Sequence, residues 1–259
     1  MKMIDAHLHI GQPGVFFVPQ TTPEQLLAGM DREGFASAVC TDHLSIVEGC
    51  PASLAALREV YERTGGRIFY LAVFHPDRSD ECLWAMTEAL CWPGFAGVKI
   101  HPSFHRTPAD DPAYAPAWRF AADHDLPILT HSWSVSDYNP VQQLSTPVRF
   151  EAHVRAFPGV RLVLGHAGGR GREQADAMRM AADYPNVYLD IAGDVFCYRL
   201  IERLAEEVPA EKILFGSDYP WLDPRANLTR VLLAEIDERA KRCILGENAR
   251  AVYRLDERC

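Results

Sequence analysis

The chain has 259 residues, 48% of them hydrophobic and 24% charged, with a formal net charge of -9. That composition supports a large soluble core, while the acidic balance argues against nucleic acid or an anionic membrane surface as a partner. No apolar run is long enough to cross a bilayer, and seven scattered cysteines without a Cys-x-x-Cys fit free thiols in a reducing cytoplasm rather than a disulfide framework or zinc ribbon.

Strand-like and helix-like segments alternate from end to end. The first strand, residues 3–9, carries His7 and His9. Residues two apart on a strand share a face, so the two imidazoles stand side by side, as half a metal site would. A helix follows from Pro23, with Thr22 at the N-cap, proline at the first helical position and Gln25 at capping-box distance. The second strand covers residues 37–42. The helix after it, 51–63, spaces Leu54, Leu57 and Val60 along one face and stops at Gly65–Gly66. Strand 67–74 leads to helix 79–91, and strand 96–101, with Lys99 and His101, to helix 112–124. Strand 127–131 ends at His131 and precedes helix 146–157, while strand 161–166 ends at His166 and precedes helix 171–184. Strand 187–191 precedes helix 198–207. The last strand, 212–218, ends at Asp218, before helices 227–239 and 247–255.

Eight β-then-α units with no composition break predict one α/β domain over residues 1–259, a parallel sheet closed into a (β/α)8 barrel, the TIM barrel. An open doubly wound sheet would need a phosphate-binding glycine turn after the first strand, and Gly11–Gln12–Pro13–Gly14 is not one. In such a barrel the active site forms at the C-terminal strand ends. Five of the eight strands deliver a histidine, a lysine or an aspartate to that rim.

Four motifs carry a resemblance across nearly the whole chain. They are Asp5–Ala6–His7–Leu8–His9, Gly97–Val98–Lys99–Ile100–His101–Pro102, Gly165–His166–Ala167–Gly168–Gly169 and Gly216–Ser217–Asp218–Tyr219–Pro220, and the helix start Gly246–Glu247–Asn248–Ala249–Arg250 is also similar. The pattern resembles the amidohydrolase superfamily of metal-dependent barrels, and most closely the amidohydrolase-2 branch with its decarboxylases, lactonases and hydratases.

The resemblance implies that His7, His9, His131 and Asp218 hold a divalent metal. One Zn²⁺ is expected, with a second ion and Mn²⁺ as alternatives. It makes Asp218 and His166 the catalytic pair, and leaves Lys99, His101 and His166 open between a second metal and the substrate. A carboxylated Lys99 bridging two ions and a plain ammonium are the two alternatives at that position. Arg170, Trp133 and Phe16 are candidates for substrate contact. Arg172 reads as a solvated helix start, and Asp190 and Asp194 as supporting or loop residues. The expected partner is a small molecule, on a chain the family suggests as a homodimer. Hydrolysis of an ester, lactone or amide by metal-activated water is the leading expectation, with compact length as its support. Decarboxylation of a small aromatic or unsaturated acid is the alternative, and a binding barrel without catalysis the third reading.

Overall fold

The computed structural model describes residues 2–11 and 21–258. Phe16, a sequence candidate for substrate contact, lies outside the described residues.

Eight parallel strands run in the order of the chain. They are β1 (Met3–Ile10), β2 (Phe35–Asp42), β3 (Ile68–Val73), β4 (Phe95–Ile100), β5 (Ile128–Thr130), β6 (Leu162–Leu164), β7 (Val187–Asp190) and β8 (Ile213–Leu214). Each pairs with the next. The seam between β8 and β1 is closed by single hydrogen bonds: Ala6 N–H donates to Phe215 O at 2.9 Å, and Asp218 N–H to His7 O at 2.9 Å. His9 N–H reaches Tyr219 O at 2.8 Å. The barrel of the sequence expectation is therefore present, with helices around it.

Local chemistry explains most element limits. Thr22 Oγ1 accepts Gln25 N–H and Gln25 Oε1 accepts Thr22 N–H, so both halves of the expected capping box form at the start of helix Pro23–Glu33. Several expected helices begin instead with a tight 3-10 turn that opens at proline, as at Pro112–Tyr114 before helix Ala115–Asp123 and at Pro147–Phe150 before helix Glu151–Ala156. Strands 5, 6 and 8 are shorter than the apolar runs suggest. His131, His166 and Asp218 leave the ladder to face the barrel mouth, and His166 and Asp218 do so with left-handed backbones.

The alternation along β1 sorts its side chains. Ile4, Ala6 and Leu8 are buried in the apolar layer beneath the helices. Asp5, His7 and His9 occupy the opposite, inward face and are equally buried. Segment Cys243–Glu247 lies under the barrel, where Phe215 N–H donates to Ile244 O at 2.8 Å. A β-carbon at Gly246 would stand 2.5 Å from Lys2 O, so only glycine allows that approach. Among the described residues no helix is long and apolar enough to cross a membrane.

Candidate metal centre and active site

His7 is fixed first. Its Nδ1 lies 2.9 Å from Asp190 Oδ2, and an ionised carboxylate can only accept. Nδ1 therefore carries the proton and Nε2 presents a bare lone pair. The Asp190 carboxyl is wholly buried; burial alone would raise its pKa, but the His7 contact holds it below the ordinary value. Asp190 also binds the β6 turn, because His166 N–H donates to its Oδ1 at 2.9 Å.

His9 is held in position by Thr41, whose Oγ1 is 2.8 Å from Nδ1. Trp221 covers the ring face at a centroid distance of 3.7 Å and 2° between planes. Burial lowers the His9 pKa to about 3, which keeps the imidazole neutral and able to bind a cation through nitrogen.

Asp218 faces both rings. Its Oδ1 is 3.3 Å from His9 Nε2 and 3.5 Å from His7 Nε2, and its Oδ2 is 3.5 Å from His166 Nδ1. Burial alone would raise its pKa, but the three imidazoles around it hold it well below the usual carboxylate range. Its backbone sits at φ +62°, a conformation that aspartate tolerates better than most residues. Asp5 anchors this turn: it accepts Ser217 Oγ–H, and its Oδ1 accepts the backbone N–H groups of Ser217 and His7, each at 3.1 Å. Burial lifts the Asp5 pKa to about 7 against the pull of those donors.

His166 follows β6 at φ +60° and ψ 21°. Its Nδ1 is buried and has no hydrogen-bond partner. A β-carbon at Gly193, itself at φ +86°, would come within 2.7 Å of that nitrogen, so the glycine leaves room for the ring. Its Nε2 is 3.1 Å from His131 Nδ1, and His131 Nε2 is 2.9 Å from Gln142 Oε1. His131 lies flat on His101, centroids 4.2 Å apart and 7° between planes. Burial pushes the pKa values of His101, His131 and His166 down.

Lys99 is buried on the cavity floor, and its Nζ is 3.1 Å from His7 Nε2. Its hydrogen-bond partner is thus His7 rather than Asp218. Desolvation brings its pKa down to about 8 despite nearby Asp190 and Asp218. Such an amine is in part neutral near neutral pH, which suits either of the two states the sequence leaves open.

These groups meet at the base of a cavity of about 560 Å³ whose wall includes Phe104, Trp133, Tyr138 and Trp221. One donor atom each from His7, His166 and Asp218 lies within 4.8 Å of the others. Imidazole nitrogens, an ionised carboxylate and the orphaned His166 Nδ1 make a donor set that fits a divalent cation. The structure thus draws His166 into the His7–Asp218 group and turns His131 toward His166. Trp133 and Arg170 line the cavity as expected. Arg170 also pairs with Asp194 at 3.2 Å and lies over the Trp133 ring. Arg172 is outside it, its side chain 90% exposed.

Sequence reasoning missed Gln142, Thr41, Arg106 and the anchoring part of Asp5. Only Asp5 had a legible signal, its position two residues before His7 on the same strand face. Gln142 and Thr41 reach the site from segments with no motif.

The amidohydrolase family profile matches residues 4–255, so the chain belongs to the amidohydrolase-2 family, a metal-dependent enzyme family. Solved structures agree with the fold. 2,6-Dihydroxybenzoate decarboxylase from Rhizobium superposes with a TM-score of 0.76 at 18% identity, covering 98% of this chain and 99% of that one. A dihydroxybenzoic acid decarboxylase from Polaromonas sp. JS666, with bound manganese and the inhibitor 2-nitroresorcinol, gives 0.76 at 16% identity, covering 98% and 97%. 5-Carboxyvanillate decarboxylase from Sphingomonas paucimobilis gives 0.72 at 14% identity, covering 98% and 99%. A search of curated proteins finds no match.

Proposed function

We propose that this barrel is a metal-dependent, non-oxidative decarboxylase of a small aromatic or unsaturated carboxylic acid. The observation that carries this reading is an aromatic-walled cavity set directly over a buried His–Asp–Lys floor. Indole and phenyl faces suit a flat ring, and the floor suits its carboxylate. The three solved proteins of the same fold, each a decarboxylase of an aromatic acid, support the same choice. Hydrolysis, the leading expectation from sequence, therefore gives way to the alternative.

His7, His9, His166 and Asp218 are the residues that would hold the cation, with zinc and manganese both compatible with nitrogen and carboxylate donors. A bound cation would supply positive charge to the substrate's acidic group and hold it against the floor. The chain's own residues account for the rest. Trp133 and Trp221 orient the ring over the floor. Lys99 adds a donor beside the substrate carboxylate. With Oδ1 turned to the His7 and His9 nitrogens, Asp218 Oδ2 is the atom placed to relay the proton that the substrate carbon gains. Protonation of that carbon lets the carbon–carboxylate bond break, the bonding electrons return to the ring, and carbon dioxide leaves. One proton is consumed for each carbon dioxide released.

The test is carbon dioxide release from a panel of hydroxybenzoic and unsaturated acids, with and without chelator. A parallel screen of esters, lactones and amides decides the competing reading. Metal-dependent hydrolysis without carbon dioxide release from any acid would overturn the decarboxylase proposal.

A further inference from the structure

Two cysteines from different βα units meet outside the active cavity. Cys50 opens the 3-10 turn Cys50–Ala52, which follows helix His43–Glu48, and Cys82 lies in helix Ser79–Ala89. Cys50 Sγ is 3.6 Å from Cys82 O, and the two thiols share a hydrogen bond. A β-carbon at Gly49, which has φ +86°, would stand 2.9 Å from Cys82 Sγ, so glycine beside Cys50 lets the turn close on that sulfur. Cys40, Cys91 and Cys243 donate instead to oxygens of Thr41, Glu88 and Glu247.

The surroundings make the two sulfurs unequal. His75 N–H donates to Cys82 Sγ at 3.5 Å. The hydrogen bond from Cys50 outweighs burial and, with the His75 N–H and the Arg78 charge, brings the Cys82 thiol down to about 7. The same contact pushes the Cys50 thiol up. A partly ionised sulfur beside a protonated one is the arrangement of an attacking and a resolving thiol. Both side chains are buried, yet Cys50 is followed by exposed Pro51 and Ala52, and Asp77, two residues after His75, is exposed as well. Local opening of such a turn admits a small oxidant.

We propose that Cys50 and Cys82 form a redox couple which a peroxide converts to a disulfide, and that this bond braces the segment between β2 and β3 against helix Ser79–Ala89. The Cys82 thiolate attacks one peroxide oxygen, the O–O bond breaks, and the departing oxygen leaves as water once protonated. Cys50 then gives up its proton and attacks the Cys82 sulfenic sulfur. The S–O bond breaks and a second water leaves. The two thiols are oxidised by two electrons, and the peroxide is reduced by two. The braced segment also carries His43, whose ring stands edge-on to Phe104 and Trp221 of the cavity wall, at 5.8 and 5.5 Å between centroids.

The zinc-loaded protein is treated with a modest excess of hydrogen peroxide, and its thiols are counted and mapped by alkylation in denaturant. Wild type is expected to lose two of its seven thiols, with the Cys50 and Cys82 peptides joined, and dithiothreitol should restore both. The oxidised protein should melt roughly 5–10 °C above the reduced one. Cys82→Ser should keep all its remaining thiols, and Cys91→Ser should form the link as wild type does. Cys50→Ser should stop at a sulfenic acid on Cys82, trapped by dimedone. Thermal melts before treatment establish that each variant is folded, and the wild-type peptide map decides by itself if one is not. Retention of all seven thiols, a link between other cysteines, or a melting temperature that fails to rise would overturn the redox brace. A cross-linking wild type whose Cys50→Ser variant gives no dimedone adduct would overturn Cys82 as the attacking sulfur.

Discussion

The two sides of the cavity floor are built from the same residue type and behave differently. On the β1–β8 side, His7 and His9 each meet a carboxylate, and the turn that carries Asp218 is tied down by Asp5 and by backbone bonds to His7. On the β4–β6 side, His101 and His131 are stacked on one another, and their hydrogen bonds go to neutral groups, Gln142, His166, Ser103 and the Phe104 N–H. The buried Asp190 carboxylate sets the His7 tautomer and aims its other nitrogen into the cavity, which suits a cation site. An imidazole in a neutral stack keeps its proton exchangeable with its neighbours, which suits substrate contact and proton movement. His166 joins the two sides, with Nδ1 toward Asp218 and Nε2 toward His131.

This contrast can be broken by substitution. Asp218→Asn should be the most damaging, with turnover down by at least about a thousandfold because it removes both a donor and a proton carrier. Metal content should fall with it, measured by elemental analysis on folded protein; full metal retention would remove Asp218 from the cation site. Asp190→Asn leaves every candidate donor in place and loosens the aim of His7. Metal affinity should weaken about ten- to a hundredfold, read by competition with a chromogenic chelator. Gln142→Leu probes the other side, with turnover expected to drop about tenfold while metal affinity stays at the wild-type value. If Gln142→Leu weakens metal binding as much as Asp190→Asn does, the two sides form one extended centre and the division fails. The smallest expected effect is on stability, when wild type is treated with chelator. With free metal about a hundredfold above its dissociation constant, its removal withdraws roughly 2.7 kcal/mol, or a fall of about 5–10 °C in Tm. An unchanged melting temperature on chelation would mean that the β1–β8 side is held by protein contacts alone.

Legibility from sequence followed the period of the chain. Alternation placed His7 and His9 together, and apolar runs ending in polar residues put Lys99, His131, His166 and Asp218 on one rim. The capping box at Thr22 and Gln25 formed as local chemistry dictates. Strand limits were overestimated where the site begins, because His166 and Asp218 bend away from the ladder for reasons that lie in Gly193, Asp190 and His7. Gln142 and Arg106 carried no signal. Gln142 lies in the 3-10 turn Pro140–Leu144 and Arg106 caps helix Pro102–His105, and only the folded connections decide what their side chains meet.

The sequence by itself determined the parallel (β/α)8 architecture and the residue types at the barrel mouth, since both depend on short-range periodicity and chain order. Tertiary structure decided which nitrogen of each histidine faces inward and which partners the lining cations Lys99 and Arg170 meet. Those outcomes depend on contacts such as His7 with Asp190, 183 positions apart, and Asp5 with Ser217, 212 apart. Closure of the barrel creates those contacts, and no local pattern encodes them.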